Sequence, residues 1–219
     1  MDLGSDYYTP DEYNQCLKKL FKINKLLGFF RSTVNILKQY SDKSTPSTLI
    51  DVGCGNGLFI LNLSRFFPYM KMQGIDISPE AIKNAQELLE TSQKNNSDLN
   101  NISFGVQEKI KSPTDIILAT LVCHHMNDDE LVDFLRQAYG MANKAIIIND
   151  LHRHRLAYCL YAVISPVLFR NRLITHDGLI SIRRGFTRTE LKSYLKKSGI
   201  KHYELKWQFP FRWKLIVWK

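Results

Sequence analysis

Apolar positions recur along this chain in two alternating rhythms. Short runs rich in branched residues, LIDV (49–52), MQGIDI (72–77), ISFGV (102–106), DIILATLV (115–122) and KAIIIND (144–150), have the length and composition of buried strands. Between them, LFILNLSRFF (58–67), SPEAIKNAQELLETSQ (78–93) and DDELVDFLRQAYGMA (128–142) space their apolar residues by three and four, as helices do. Ser78 is placed to cap the second of these, with Pro79 in its first turn. Strand and helix in turn imply parallel strands joined by right-handed crossovers, a doubly wound α/β sheet with helices on both faces. Near the end the rhythm changes. Thr187 and Glu190 form a capping box for a helix that runs to about Ser198, where Gly199 can end it. HYELKWQF and RWKLIVWK then follow with too few residues between them for a crossover, so they form an antiparallel hairpin and bring the expected sheet to seven strands.

Ahead of the first strand, CLKKLFKINKLLGFFRSTVNILKQY predicts one or two amphipathic helices interrupted near Gly28. The expected organisation is a helical cap over residues 1–45 and a main domain over 46–219, with an insertion at about 151–186. Disorder is expected only in the first few residues and around Ser92 to Asn101.

The stretch LIDVGCGNGLF, Leu49 to Phe59, concentrates three glycines in the first strand-to-helix turn. Glycine there costs backbone entropy, which points to close approach of a ligand. In open α/β sheets this turn lies where ligands bind. A dinucleotide fingerprint, GxGxxG counted from Gly53, needs a third small residue where Leu58 stands, which weakens that reading.

The spacing DxGxGxG from Asp51 to Gly57, with GIDIS following, resembles motif I and the second-strand end of the class I S-adenosylmethionine-dependent methyltransferases. The resemblance implies a Rossmann-like fold from about Pro46 onward and S-adenosylmethionine as cofactor, leaving S-adenosylhomocysteine as product. It places Asp51, Gly53, Cys54, Gly55 and Gly57 in the cofactor turn, and Asp76, with Ile77 beside it, at the ribose hydroxyls. A carboxylate suits two vicinal hydroxyl donors. By the same resemblance Glu108 is expected at the adenine amino group. The fourth strand's end, ATLVCHHM, is similar to the LHH segment of ubiquinone and menaquinone methyltransferases, which puts Thr120 and Leu121 beside the cofactor.

The resemblance also implies an (N/D)PPY segment after the fourth strand in members acting on base amines or glutamine, and a Pro-Cys pair in those acting on the cytosine ring; neither occurs here, which demotes a nucleic-acid acceptor. The resemblance makes the insertion a substrate cover. Its Leu156 to Phe169 stretch is almost wholly apolar, too short to span a bilayer and flanked by HRHR and RNR. O-methylation of a lipophilic phenolic, quinone-type or polyketide-type molecule is the expected reaction. His176, His152 and Asp150 are the candidate proton acceptors, while His124 and His125 are expected to pack on the cofactor or cap the next helix. His152 and His154 have no third ligand in sequence, so no metal site is expected.

A net charge of +9 attracts nucleic acid, anionic membrane or acidic substrates without choosing among them. It keeps open an RNA methyltransferase, and peripheral contact with the inner membrane face. A non-catalytic member is the other alternative, with the pocket blocked by Lys109. The polar, acidic start of the chain is unlike a secretory signal, and the expected location is the cytoplasm. Four scattered cysteines read as buried thiols.

Overall fold

Residues 9–41, 47–95, 99–169 and 172–219 are described by the computed structural model of the chain. Two helices come first, α1 (Pro10–Leu26) and α2 (Phe29–Tyr40), separated by Gly28 at φ 79°. Strand and helix then alternate: β1 (Thr48–Val52), α3 (Leu58–Leu63), β2 (Lys71–Asp76), α4 (Pro79–Asn95), β3 (Ile102–Val106), β4 (Thr114–Thr120), α5 (Asp128–Met141) and β5 (Ala142–Leu151). A single 3-10 turn, Cys123–His125, leads from β4 to α5. The chain closes with α6 (Arg155–Phe169), α7 (Arg172–Arg184), α8 (Arg188–Lys197), β6 (Tyr203–Gln208) and β7 (Arg212–Trp218).

The seven strands among the described residues pair in the order β3-β2-β1-β4-β5-β7-β6. β1 to β5 are parallel, and β7 runs antiparallel to both β5 and β6. Alternation along β4 divides the core: Ile116 and Leu118 face α2, α3 and α4, whereas Ile117 and Ala119 face α5 and α8. All four are fully buried, and each of the three large side chains contributes about 1.5–3 kcal/mol by leaving water. Because β2 leads away from β1 on one side and β4 on the other, a crevice opens at their carboxyl ends.

Local chemistry explains most of the boundaries. The box Thr187–Glu190 is present, with Glu190 N donating to Thr187 Oγ1 at 3.4 Å and Thr187 N to Glu190 Oε2 at 2.9 Å. Ser78 Oγ accepts from Ala81 N at 3.2 Å, as an N-cap does. Two further boxes, Thr9–Glu12 and Asn127–Glu130, start α1 and α5.

Elsewhere the structure differs from the sequence expectations. The first crossover helix stops at Leu63 rather than reaching 67, as Ser64 Oγ bonds back to Leu61 O and Pro68 follows. Residues 92–95 belong to α4 and Leu99 is buried, while 96–98, like residues 1–8, lie outside the described residues. The expected boundary at residue 45 cuts one core, because Phe30, Val34, Ile36 and Leu37 of α2 pack in the same cluster as Leu49, Met72 and Ile116. α1 packs mainly on α2, α3, α4 and α7. Of the four cysteines, Cys159 is exposed.

Candidate active site

At the carboxyl end of β1 the chain doubles back, with Gly53 N and Cys54 N both donating to Ile75 O, at 2.8 and 3.1 Å. Asp76, the last residue of β2, braces the turn: Oδ2 accepts from Gly55 N and Oδ1 from Ser78 N, each at 2.9 Å. A carboxylate has about four acceptor positions, so roughly two remain for hydroxyl donors. Gly55 has φ 55°, and a Cβ built on it would meet only Leu17 of α1, at 3.6 Å. The turn's main chain is therefore approachable at this residue. At Gly57, φ 72°, a Cβ would lie 2.5 Å from Phe104 Cζ, which shows a glycine needed for close helix–sheet packing instead.

Asp51 stands behind the turn at 2% exposure, and burial, reinforced by Asp76, pushes its carboxyl up to about 8. Burial, then Asp51 and Asp76, also raise the Cys54 thiol, so this cysteine is an inert packing group. α1 crosses over the turn. Asn14 accepts from Asn56 Nδ2 at 3.0 Å and donates to Asn84 Oδ1 at 3.3 Å.

Across the crevice, β4 ends in Thr120, whose buried Oγ1 has no hydrogen-bond partner among the described residues. Leu121 follows at φ 58°, a left-handed backbone that a branched side chain adopts only at a cost of about 1–3 kcal/mol. An orphan hydroxyl, a strained residue and an approachable glycine turn face one crevice. Together with the spare acceptors of Asp76 they fit a ligand bearing vicinal hydroxyls.

Beyond Leu121, Val122 abuts the glycine turn, since a Cβ on Gly53 would fall 2.5 Å from Val122 Cγ2. The 3-10 turn then presents His124, 5% exposed, to Asp150, 1% exposed, at the end of β5. His124 Nδ1 and Asp150 Oδ1 are 2.7 Å apart. Asp150 also accepts from Leu151 N at 2.7 Å and from His124 N at 3.3 Å. Burial alone would raise this carboxyl, but His124, the bond from Leu151 N and nearby Arg212 hold it below the ordinary carboxylate range. An ionised Asp150 can only accept, so His124 donates through Nδ1 and Nε2 is left as the basic nitrogen. Arg212, also buried, donates to Asn24 Oδ1 at 3.0 Å and lies 4.6 Å above the Phe29 ring. Burial, opposed by Asp150, pulls its guanidinium down to about 10.

Residues 50–144 match the family described as "Methyltransferase domain". The chain thus carries a methyltransferase domain. The plantazolicin methyltransferase BpumL, solved with S-adenosylhomocysteine, is similar over 98% of this chain and 91% of its own, with a TM-score of 0.71 and 17% identity. Magnesium protoporphyrin IX methyltransferase from Synechocystis PCC 6803, with S-adenosylhomocysteine bound, is similar over 95% and 93%, at TM-score 0.66 and 16% identity. A putative O-methyltransferase from Nostoc punctiforme PCC 73102 matches at TM-score 0.63 and 14% identity over 89% of this chain, which spans only 56% of that longer protein. No curated protein sequence matches the chain.

In the methyltransferase the remaining sequence candidates are scattered. Ile77, 73% exposed, is the residue immediately after Asp76. Glu108 and Lys109 are both exposed on the bend after β3. His152 accepts from Trp207 Nε1 at 3.2 Å through Nδ1 and packs 4.9 Å from the Trp213 ring, so it belongs to the hairpin's aromatic cluster. Burial and His154 lower its pKa. His176 lies on α7, half exposed, with Nδ1 3.8 Å from Asp177 Oδ1. Asp150 is enclosed by His124 and backbone donors, which leaves it no open side for an acceptor molecule. The His124–Asp150 pair is not among the sequence expectations. The signal that finds it is strand register, because Thr120 lies opposite Asn149 on neighbouring parallel strands, which brings the residues just beyond into reach.

Proposed function

We propose that this methyltransferase transfers a methyl group to oxygen on a hydrophobic small molecule, with His124 as proton acceptor and Asp150 as its positioning residue. The observation that carries the reading is the buried 2.7 Å His124–Asp150 pair three residues beyond strained Leu121. The glycine turn at Gly53–Gly57 and Asp76 would hold the cofactor, with Thr120 and Leu121 beside it. When bound, the cofactor supplies an electrophilic sulfonium methyl group.

The protein's share is to orient the acceptor, exclude water and remove a proton. Nε2 of His124 takes the hydroxyl proton, while Asp150 fixes the tautomer and stabilises the imidazolium. His124 itself, the bond from Leu151 N and, least, Arg212 keep the Asp150 carboxylate ionised. Apolar α6 supports a lipophilic acceptor, and both the putative O-methyltransferase and the porphyrin enzyme share the fold.

Phenols of graded chain length provide the test. His124→Ala should lower turnover by about a hundredfold or more with cofactor affinity retained. Asp150→Asn should lower kcat with cofactor affinity retained, as the imidazole loses the carboxylate that orients it. His176→Ala and His152→Ala serve as comparisons. A larger loss in either of them than in His124→Ala, methylation that requires RNA, or preference for polar amines over every phenol would overturn the assignment.

A further inference from the structure

One face of α6 is apolar and uncovered. Leu156, Leu160, Val163 and Val167 are 52%, 44%, 74% and 75% exposed. At 3.6 residues per turn these four fall within an arc of about 60° that runs about 16 Å along the helix. Ala157 and Ser165, on the other side, are buried. No other helix of the fold presents such a row among the described residues, and α6 contains no acidic residue.

Two neighbouring features share its chemistry. At the foot of α6, His154 stacks on Phe211 at 5.3 Å, and Phe211 leads through Trp207 to Phe209, which is 73% exposed at the tip of the β6–β7 turn. Beside the same end, Arg153, Arg155 and Arg183 line one open cleft of about 500 Å³ with Tyr158. Arg153 is tied to Glu190, whereas Arg155 and Arg183 are exposed with no salt-bridge partner among the described residues.

We infer that this face, α6 with the aromatic turn, docks on the surface of an anionic phospholipid bilayer. The apolar row and the indole would sit at the level of the headgroups and upper acyl chains, and the arginine cleft would take lipid phosphate. Charge complementarity selects this occupant over a second copy of the chain. A two-fold contact through α6 would bring no acidic residue from that helix to meet the Arg155 and Arg183 cleft of either copy. No helix among the described residues is long and apolar enough to cross a membrane, so the contact is peripheral. The inference does not depend on which atom is methylated.

Co-sedimentation with vesicles of phosphatidylcholine alone, or mixed equally with phosphatidylglycerol, tests it. The full chain should partition to the mixed vesicles at least tenfold better, and lose most of that binding in 0.5 M salt. Val163→Glu with Val167→Glu, and Arg155→Glu with Arg183→Glu, should each reduce partition tenfold or more, with cofactor affinity unchanged. Should a variant not fold, brominated phosphatidylglycerol supplies a second readout on the wild type, whose tryptophan emission it should quench. Absence of binding to mixed vesicles, absence of quenching, or equal partition of wild type and a folded Val163→Glu/Val167→Glu variant overturns the inference. So does a wild-type dimer that those two glutamates convert to a monomer.

Discussion

Asp51→Asn isolates the electrostatics of the glycine turn. With a folded pKa of about 8 against about 3.9 for an unfolded aspartate, the native carboxyl keeps its proton through a window where the unfolded chain has released it. The folded state therefore binds more protons there. Stability due to Asp51 is complete below about pH 4, falls as pH rises, and is gone above about pH 8. Within the window the slope is about 1.4 kcal/mol per pH unit. Asparagine has no proton to lose, and the other titrating groups are common to both proteins. From pH 5 to pH 7 the stability difference should thus move by about 3 kcal/mol in favour of Asp51→Asn. Urea denaturation of the ligand-free protein at pH 5, 6 and 7 measures this. With an m-value of about 2 kcal/mol/M, the midpoint of the variant should gain roughly 1–1.5 M on the wild type across that range. A difference that stays flat with pH would mean that Asp51 is already ionised in the folded chain, and that the space behind the glycine turn admits water despite the residue's 2% exposure.

Asp76→Ala should weaken cofactor binding by about 1–3 kcal/mol, through loss of charge-assisted acceptors and of the brace on Gly55 N; titration calorimetry showing unchanged affinity refutes that role. The glycines should separate in their effects. Gly55→Val, at φ 55° with only Leu17 near, should abolish cofactor binding while the fold persists, whereas Gly57→Ala should lower the melting temperature because its Cβ runs into Phe104. Equal effects of the two on melting and on affinity would contradict the geometry.

Much of this architecture is legible in the sequence because the signals are local. Period, caps and turn residues give each crossover strand and helix within a few residues of its place, and DVGCGNG marks the glycine turn after β1 from seven adjacent residues. What escapes is what depends on partners. The amphipathic α2 announces a buried face but not what it faces, and it lies on the sheet beside Leu49 and Ile116. His124 and Asp150 are 26 residues apart in the chain, and nothing local distinguishes either from its neighbours. Trp207 likewise claims His152 from 55 residues away. Ser64 shortens α3 through a single hydroxyl bond that composition does not reveal.

The position of β7 bears on how the molecule is made. β5 carries Ile146, Ile147 and Ile148 in the middle of the sheet, and its free edge is closed only by pairing with Leu215, Ile216 and Val217, nearly 70 residues later. While the nascent chain emerges, β1 to β5 can assemble in order, yet they present an unpaired apolar edge until residues 212–218 arrive. Arg212 comes with that strand, so Asp150 acquires its buried cation in the same event. Completion of the sheet and completion of the charge network around His124 are one step of synthesis, and a chain stopped short of Arg212 would lack both.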